Sequence, residues 1–210
     1  MPKLKTPPAL DLPIKFFKSE DAFAKWLDAN HAKSRGIWLR MAKKASGIAS
    51  VDYAQALDVA LCYGWIDGQK RPCDEETWFQ RFTPRGPRSI WSRINTAKVQ
   101  ALIENGRMRA AGLAAIESAK ASGRWESAYQ PSSTAEVPPD LQAALDASRK
   151  AKEFFATLRG ANRYAVIFRV ATAKKPETRA RRIAEFVAML ERGETLHGPA
   201  KKAAKTETRR

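Results

Sequence analysis

The first candidate for chemistry is an acidic residue set among glycines. Asp67 stands in the segment GWIDG, so glycine lies close to it on both sides. Because glycine carries no side chain, another group can approach this backbone closely. A carboxylate here, beside Trp65, could orient a ligand or act as a general base. The structural alternative is an ion pair with Arg81 or Arg85 on the next segment, since buried carboxylates are usually paired.

The second candidate is a run of arginines mixed with aromatic residues. Segment 77–98 contains five cations and no acid. Its arginines are Arg81, Arg85, Arg88 and Arg93, and its aromatic residues are Trp78, Phe79, Phe82 and Trp91. Guanidinium groups bind phosphate or carboxylate through paired hydrogen bonds, and aromatic faces stack on bases or on arginine. The pattern also predicts a helix starting at Ser89, whose free N–H groups favour an anion held with Arg85 and Arg88. The alternative is that the aromatic residues are core and the arginines cover their edges.

The third candidate is a basic cluster at the start of the last predicted helix. It comprises Lys174, Lys175, Arg179, Arg181 and Arg182. An exposed cation in a first helical turn opposes the helix dipole at a cost of about 0.3–1 kcal/mol. Glutamates four residues before and after Arg181 compensate that residue. Arg179 and Arg182 remain, and they predict either an anionic ligand or docking onto acidic residues of the domain that holds the sheet.

Other kinds of site are disfavoured by the residues present. The chain contains no G-x-x-x-x-G-K-[ST], G-x-G-x-x-G or G-x-S-x-G motif, and only 2 Cys and 2 His. Cys62 is expected to be a small core residue and Cys73 an exposed, reduced thiol; their spacing is poor for zinc. His31 is expected to end a helix rather than serve a nucleophilic triad. We therefore expect no metal and no cofactor, and an enzyme is less favoured than a binding protein.

The length and net charge of the chain limit the class of protein. The chain has 210 residues, 44% of them hydrophobic, with a net charge of +16. Such a chain can bury one sizeable core or two small ones. The basic balance predicts an anionic partner such as nucleic acid, phosphate or acidic lipid, although it also suits mere solubility. No signal-peptide core and no run of about 18 apolar residues is visible, so we expect a soluble cytoplasmic protein without a transmembrane segment.

The elements that must position these groups are predicted to be mainly helical. Ser19 and Ser50 are expected to cap helices, and residues 36–42, GWIDGQKR and ETWFQRF are expected to form a small antiparallel sheet of about three strands. The predicted class is mainly α with a small antiparallel β-sheet, an α+β fold. The predicted organisation is an extended lead-in over 1–18, an α+β domain over 19–125, a linker over 126–139, a helical subdomain over 140–193 and a disordered basic tail over 194–210.

The same stretches resemble a known family. The segments WLDANH, GIWLRMAKKASG, VDYAQALDVALCYGWIDGQ, RFTPRGPRSIWSRIN and AKKPETRARRIAEFVAML are similar to YdeI/OmpD-associated proteins, also called bacteriocin-protection or OmdA proteins, over roughly residues 16–193. The resemblance implies a soluble bacterial protein linked to protection against bacteriocins or cationic antimicrobial peptides and to an outer-membrane porin. It supplies no catalytic residues. The matching positions are Gly64, Trp65, Asp67, Gly68, Arg81, Pro84, Arg85, Ser89, Trp91 and Asn95.

The leading hypothesis is a stress or peptide-resistance protein with a pocket for an anionic or polar ligand. The pocket is expected to combine Trp65, Asp67, Arg81, Arg85, Ser89, Trp91 and Asn95. Because a +16 protein repels cationic peptides, an indirect role through an anionic ligand or an envelope-associated partner is favoured. One alternative is nucleic-acid binding by the tail and by a basic face that includes Arg88, Arg93, Lys174, Lys175, Arg179 and Arg182. Another is a small-molecule enzyme with Asp67 as general base.

Overall fold

The chain divides into two compact units, with the boundary between Ala128 and Tyr129. The computed structural model describes residues 11–198, so most of the predicted basic tail lies outside the described residues. Unit 1 combines a sheet with helices, and unit 2 is helical throughout its described elements. The predicted α+β class is confirmed.

Unit 1 contains a four-stranded sheet in the order β1-β2-β4-β3. Its strands are β1 (Ile14–Phe16), β2 (Ile37–Ala42), β3 (Trp65–Pro72) and β4 (Thr77–Pro84). The three strands predicted from the sequence pair in antiparallel fashion, but β1 pairs with β2 in parallel. The sheet is therefore mixed, because the chain between β1 and β2 crosses over through a helix and returns in the same direction.

The helices of unit 1 are α1 (Glu20–Asn30), α2 (Tyr53–Cys62), α3 (Arg93–Glu104) and α4 (Ala110–Ala121). Ser19 caps α1 as predicted, accepting the backbone N–H of Ala22 at 3.2 Å. The cap of α2 is Asp52 rather than Ser50, because Asp52 forms a reciprocal capping box with Gln55.

Helix α3 begins later than predicted. Its cap is Ser92, whose Oγ accepts the backbone N–H of Asn95 at 3.1 Å. Ser89 instead closes the turn before the helix. The helix therefore starts three residues later, and Ile90 and Ile94 are 47% and 51% exposed. The prediction that the helix begins at Ser89 is therefore wrong, and Ser89 does not lie at a helix N-terminus.

The core of unit 1 lies between one face of the sheet and helices α1 and α2. Ile37, Leu39 and Met41 of β2 pack there with Phe23 and Leu27 of α1. Helix α4 joins this core by a close approach that only glycine permits. A Cβ on Gly112 would lie 2.3 Å from the carbonyl oxygen of Cys62 at the end of α2.

The cysteines behave as the sequence predicts. Cys62 is buried and Cys73 is exposed, and both are free thiols. Burial raises the pKa of the Cys62 thiol.

Unit 2 is built from α5 (Pro139–Asp146), α6 (Arg149–Thr157), α7 (Gly160–Ala171) and α8 (Pro176–Glu191). Its buried core contains Leu141, Leu145, Ala151, Phe155, Leu158, Val166, Ile167, Val170, Phe186 and Leu190. On α8, Phe186 and Leu190 are buried, while Ile183 and Val187 are half-buried at the edge of this core. Within residues 11–198, no helix combines the length and the apolar character needed to cross a membrane.

Candidate anion-binding site

A basic cavity of about 350 Å³ lies in unit 1, between the turn that joins β4 to α3 and the side of α4. Its lining residues are Arg85, Gly86, Pro87, Ser89, Trp91, Ala114, Ala115, Ser118, Ala119 and Arg124. We call it the Arg85 cavity. Two arginines and two serines line it, and no acidic side chain is among the lining residues.

Arg85 is held in place by its backbone and by its side chain. Its backbone N–H donates to the carbonyl of Gly64 at 2.9 Å, which ties the turn to the start of β3. Its guanidinium carbon lies 3.5 Å from the centroid of the Trp91 ring, and its Nη1 donates to the carbonyl of Ile90 at 3.2 Å. Trp91 is itself fixed, because it is 2% exposed and Trp125 packs edge-on at 5.0 Å. The arginine is therefore pre-organised on a rigid aromatic wall.

Ser89 shapes the turn that forms one rim of the cavity. Its Oγ accepts the backbone N–H of Gly86 at 3.0 Å, and its own N–H donates to the carbonyl of Gly86 at 2.9 Å. Since a hydroxyl both accepts and donates, the Ser89 O–H can still donate to a ligand oxygen.

Arg124 brings a second guanidinium to the cavity from another element. It follows Gly123, whose φ of 65° ends α4, and its backbone N–H returns to the carbonyl of Ala119 at 2.9 Å. Two permanently charged groups in one hollow repel each other, and an anion between them relieves that repulsion. The electrostatics of the cavity therefore favour an anion.

Arg124 and Ser118 were not identified from the sequence. Arg124 lies 39 positions after Arg85, so only the packing of α4 brings it near. The available signal was a basic residue just beyond the glycine that ends α4, a position that also suits simple capping of helix carbonyls.

Of the predicted ligand residues, Arg85, Ser89 and Trp91 line the cavity, whereas Trp65 lies in the core. Trp65 is 1% exposed, and its indole N–H donates to the carbonyl of His31 at 3.2 Å. The prediction that Trp65 walls an open pocket does not match this placement, because both its ring and its N–H are used inside the protein.

Asp67 and Arg81 each have a partner away from the Arg85 cavity. Asp67 accepts the hydroxyl of Tyr53 at 2.8 Å. Arg81 forms an ion pair with Asp11 at 2.9 Å. The expected ion pair of Asp67 with an arginine is thus replaced by a hydrogen bond to a tyrosine, which the sequence pattern does not reveal.

Asn95, Arg88 and Arg93 also lie outside the lining of this cavity. Asn95 is in the first turn of α3, where its backbone N–H binds Ser92. Arg88 is exposed on the turn, and Arg93 is exposed as the first residue of α3. The structure therefore concentrates the predicted site on the turn and leaves these side chains at the surface or in the helix start.

The aromatic residues of segment 77–98 follow the structural alternative. Phe79 and Phe82 are buried, and Trp91 is covered by Arg85. Trp78 is half-buried beneath Lys70, whose Nζ lies 4.1 Å from the ring centroid. Since these rings are buried or covered by cations, this segment provides no open platform for stacked bases.

The basic cluster of α8 is partly used inside unit 2. Arg179 donates to both carboxylate oxygens of Asp140, at 2.5 and 2.8 Å, and to the carbonyl of Val170 at 2.8 Å. Arg182 donates to the carbonyl of Arg169. The acidic partner of Arg179 is thus Asp140 on α5, not a residue of the domain that holds the sheet. The hydrogen bonds from Arg179 are the main reason that the pKa of Asp140 lies below its usual value.

The two accepting carbonyls, of Arg169 and Val170, belong to the last turn of α7, where the helix dipole is negative. Arg179 and Arg182 of α8 therefore stabilise the C-terminal end of α7. Lys174 and Lys175 are exposed and form no ion pair with any residue of 11–198. Across this described part of the chain, His, Cys, Asp and Glu form no group of three or more suited to a metal ion.

Comparisons with known proteins divide the chain in two. Residues 15–115 match a family model described as Domain of unknown function (DUF8412). Residues 134–193 match the family model described as Bacteriocin-protection, YdeI or OmpD-Associated. Neither the curated proteins nor the solved structures give a match. The match over residues 134–193 thus supports the family that the sequence was predicted to resemble, the YdeI/OmpD-associated bacteriocin-protection family, whereas residues 15–115 of the predicted range match a separate model.

Proposed function

We propose that this protein contributes to bacteriocin protection as a binding protein that holds a small anionic ligand in the Arg85 cavity. The family of residues 134–193 supports the association with bacteriocin protection. The observation that carries the ligand class is the pair Arg85 and Arg124, which line one cavity that contains no acidic side chain.

The size and lining of the cavity narrow the ligand. Its volume of about 350 Å³ is at the small end of ligand sites, which span about 300–1,000 Å³. The side of α4 contributes Ala114, Ala115 and Ala119 as an apolar floor. The ligand is therefore a compact molecule with one or two anionic groups and little apolar surface.

The overall charge supports an indirect role in resistance. With a net charge of +16, the protein attracts anions and repels cationic peptides. The protein thus responds to an anionic metabolite or envelope component rather than sequestering the peptide itself.

Calorimetric titration of the full chain with inorganic phosphate, pyrophosphate and citrate tests the ligand class. We expect binding of at least one of these anions, weakened about tenfold, or about 1.4 kcal/mol, by Arg85→Ala and by Arg124→Ala. The matched control is Arg88→Ala, since Arg88 is an exposed arginine of the same turn that does not line the cavity. Asp67→Asn should also leave the affinity unchanged, because Asp67 binds Tyr53 instead.

A survival assay with cells exposed to a bacteriocin tests the link to protection. Cells that express Arg85→Ala should lose the protection that the wild-type protein and Arg88→Ala provide. If Arg85→Ala folds normally and both anion binding and survival match the wild-type values, the proposal is refuted. Binding of single-stranded DNA that falls steeply with salt and depends on Arg88 as much as on Arg85 would favour the nucleic-acid alternative.

A further inference from the structure

A second polar cleft lies in unit 1, between α1 and the turn that joins α3 to α4. It consists of two hollows of about 280 and 290 Å³ that share the lining residues Asp21, Ala24, Tyr63 and Arg109. Because these residues line both hollows, the two are adjoining parts of one cleft. None of its lining residues belongs to the Arg85 cavity.

One wall of the cleft is mainly acidic and the other is basic, and Lys25 of α1 also lines the second hollow. Asp21 and Asp28 lie two turns apart along α1 and both line the second hollow. Arg109 lines both hollows from the start of α4, where it occupies the cap position without a side-chain capping bond. Carboxylates on one wall therefore face a guanidinium on the other.

Tyr63 forms the floor between these walls. It is 5% exposed, and its hydroxyl donates to Oδ1 of Asp28 at 3.2 Å. The guanidinium of Arg109 lies close enough to the same hydroxyl to act on the pKa of Tyr63, although burial raises that pKa overall. The ring is braced by His31, with centroids 5.3 Å apart. One buried hydroxyl thus separates an acid from a guanidinium.

The separation leaves both charges able to bind a further group. Within residues 11–198, Asp28 and Arg109 form no ion pair with each other, whereas Glu20 and Arg107 pair directly at one end of the cleft. A carboxylate offers about four acceptor positions and a guanidinium about five donors, so the contacts with Tyr63 use only part of each. A ligand with both charges can occupy the space between them.

We propose that this cleft binds a small zwitterion. Its ammonium group lies against Asp28, its anionic group lies against Arg109, and the Tyr63 hydroxyl lies between the two. A molecule with one charge leaves one wall without a counter-charge, so the cleft selects for the presence of both.

Titration of the full chain with 4-aminobutyrate and 6-aminohexanoate, followed by NMR chemical shifts or calorimetry, tests the proposal. The matched one-charge probes are hexanoate and hexylamine. We expect at least one amino acid of the pair to bind about tenfold more tightly than either one-charge probe. Asp28→Asn and Arg109→Gln should each weaken that binding by about tenfold, and Tyr63→Phe should weaken it while the thermal midpoint shows a folded protein.

The control variants replace residues outside the cleft. Glu126→Gln and Arg88→Gln change exposed groups of the same types and should have no effect. Arg85→Ala should also have no effect, which separates this cleft from the Arg85 cavity. The proposal fails if neither amino acid binds, if hexanoate or hexylamine binds equally well, or if Asp28→Asn and Arg109→Gln retain wild-type affinity.

Discussion

Replacement of Gly112 by alanine tests how tightly α4 is held against the rest of unit 1. The new Cβ would lie 2.3 Å from the carbonyl oxygen of Cys62 and 2.6 Å from Cε of Met108. The methionine end can swing away, but the carbonyl belongs to the backbone of α2. Since carbon–oxygen contacts are normally no closer than about 3.3 Å, α4 must move by roughly 1 Å.

The size of the effect follows from two opposing terms. Alanine is a better helix former than glycine by about 1 kcal/mol, which favours the variant. Overpacking against a rigid backbone costs about 1–3 kcal/mol, and here both the carbonyl oxygen and the carbonyl carbon of Cys62 lie within 2.8 Å of the new Cβ. We expect Gly112→Ala to lower the free energy of unfolding by about 1–2 kcal/mol, measured by urea denaturation.

The same displacement should reach the proposed ligand. Ala114, Ala115 and Ser118 lie within two turns of Gly112 and line the Arg85 cavity. Anion affinity should therefore fall in Gly112→Ala although no lining residue changes. Gly106→Ala is the control, because it strains a backbone with φ of 65° but meets no atom within 4 Å. A Gly112→Ala protein as stable as the wild type, with unchanged anion affinity, would refute the reasoning.

Three further predictions concern charge and exposure. Hydrogen bonds from Thr77 hold the pKa of Asp74 well below its usual value. The ionised Asp74 therefore stabilises the protein above about pH 4, and this contribution is lost as the pH falls further. The urea midpoint of Asp74→Asn should accordingly depend less on pH below about pH 4 than that of the wild type. Arg179→Ala should cost about 1–3 kcal/mol in urea denaturation, against about 0.3–0.5 kcal/mol for Arg181→Ala, whose surface ion pair is weak. Iodoacetamide should label Cys73 in the native protein and Cys62 only after unfolding, as read by mass spectrometry; early labelling of Cys62 would contradict its burial.

Much of the fold could be predicted because local signals agreed with the packing. The cap at Ser19 and the three antiparallel strands are each indicated by neighbouring residues alone. Ser89 and Ser92 are both residue types that cap helices. In the structure the Ser89 hydroxyl accepts from Gly86 within the turn, so Ser92 caps the helix instead. The strand β1 has three residues and pairs across a helical crossover, so its short pattern carries little information.

The candidate site was predicted only where its residues are close in the sequence. Arg85, Ser89 and Trp91 lie on one turn, so their grouping required no knowledge of the fold. Arg124 reaches the cavity through the packing of α4, and Asp67 was assigned to the pocket although the hydroxyl of Tyr53 holds it elsewhere. Sequence spacing identifies groups on one element, whereas contacts between elements depend on tertiary packing.

The bonds from Arg179 and Arg182 to the last carbonyls of α7 have a consequence for the order of events during synthesis. These donors lie on the helix that follows α7 in the chain. A nascent polypeptide that ends before Pro176 therefore exposes the C-terminus of α7 to water without its partners. Helix α7 gains these partners only after α8 has left the ribosome, so protection of α7 from proteases should appear only once α8 has been synthesised.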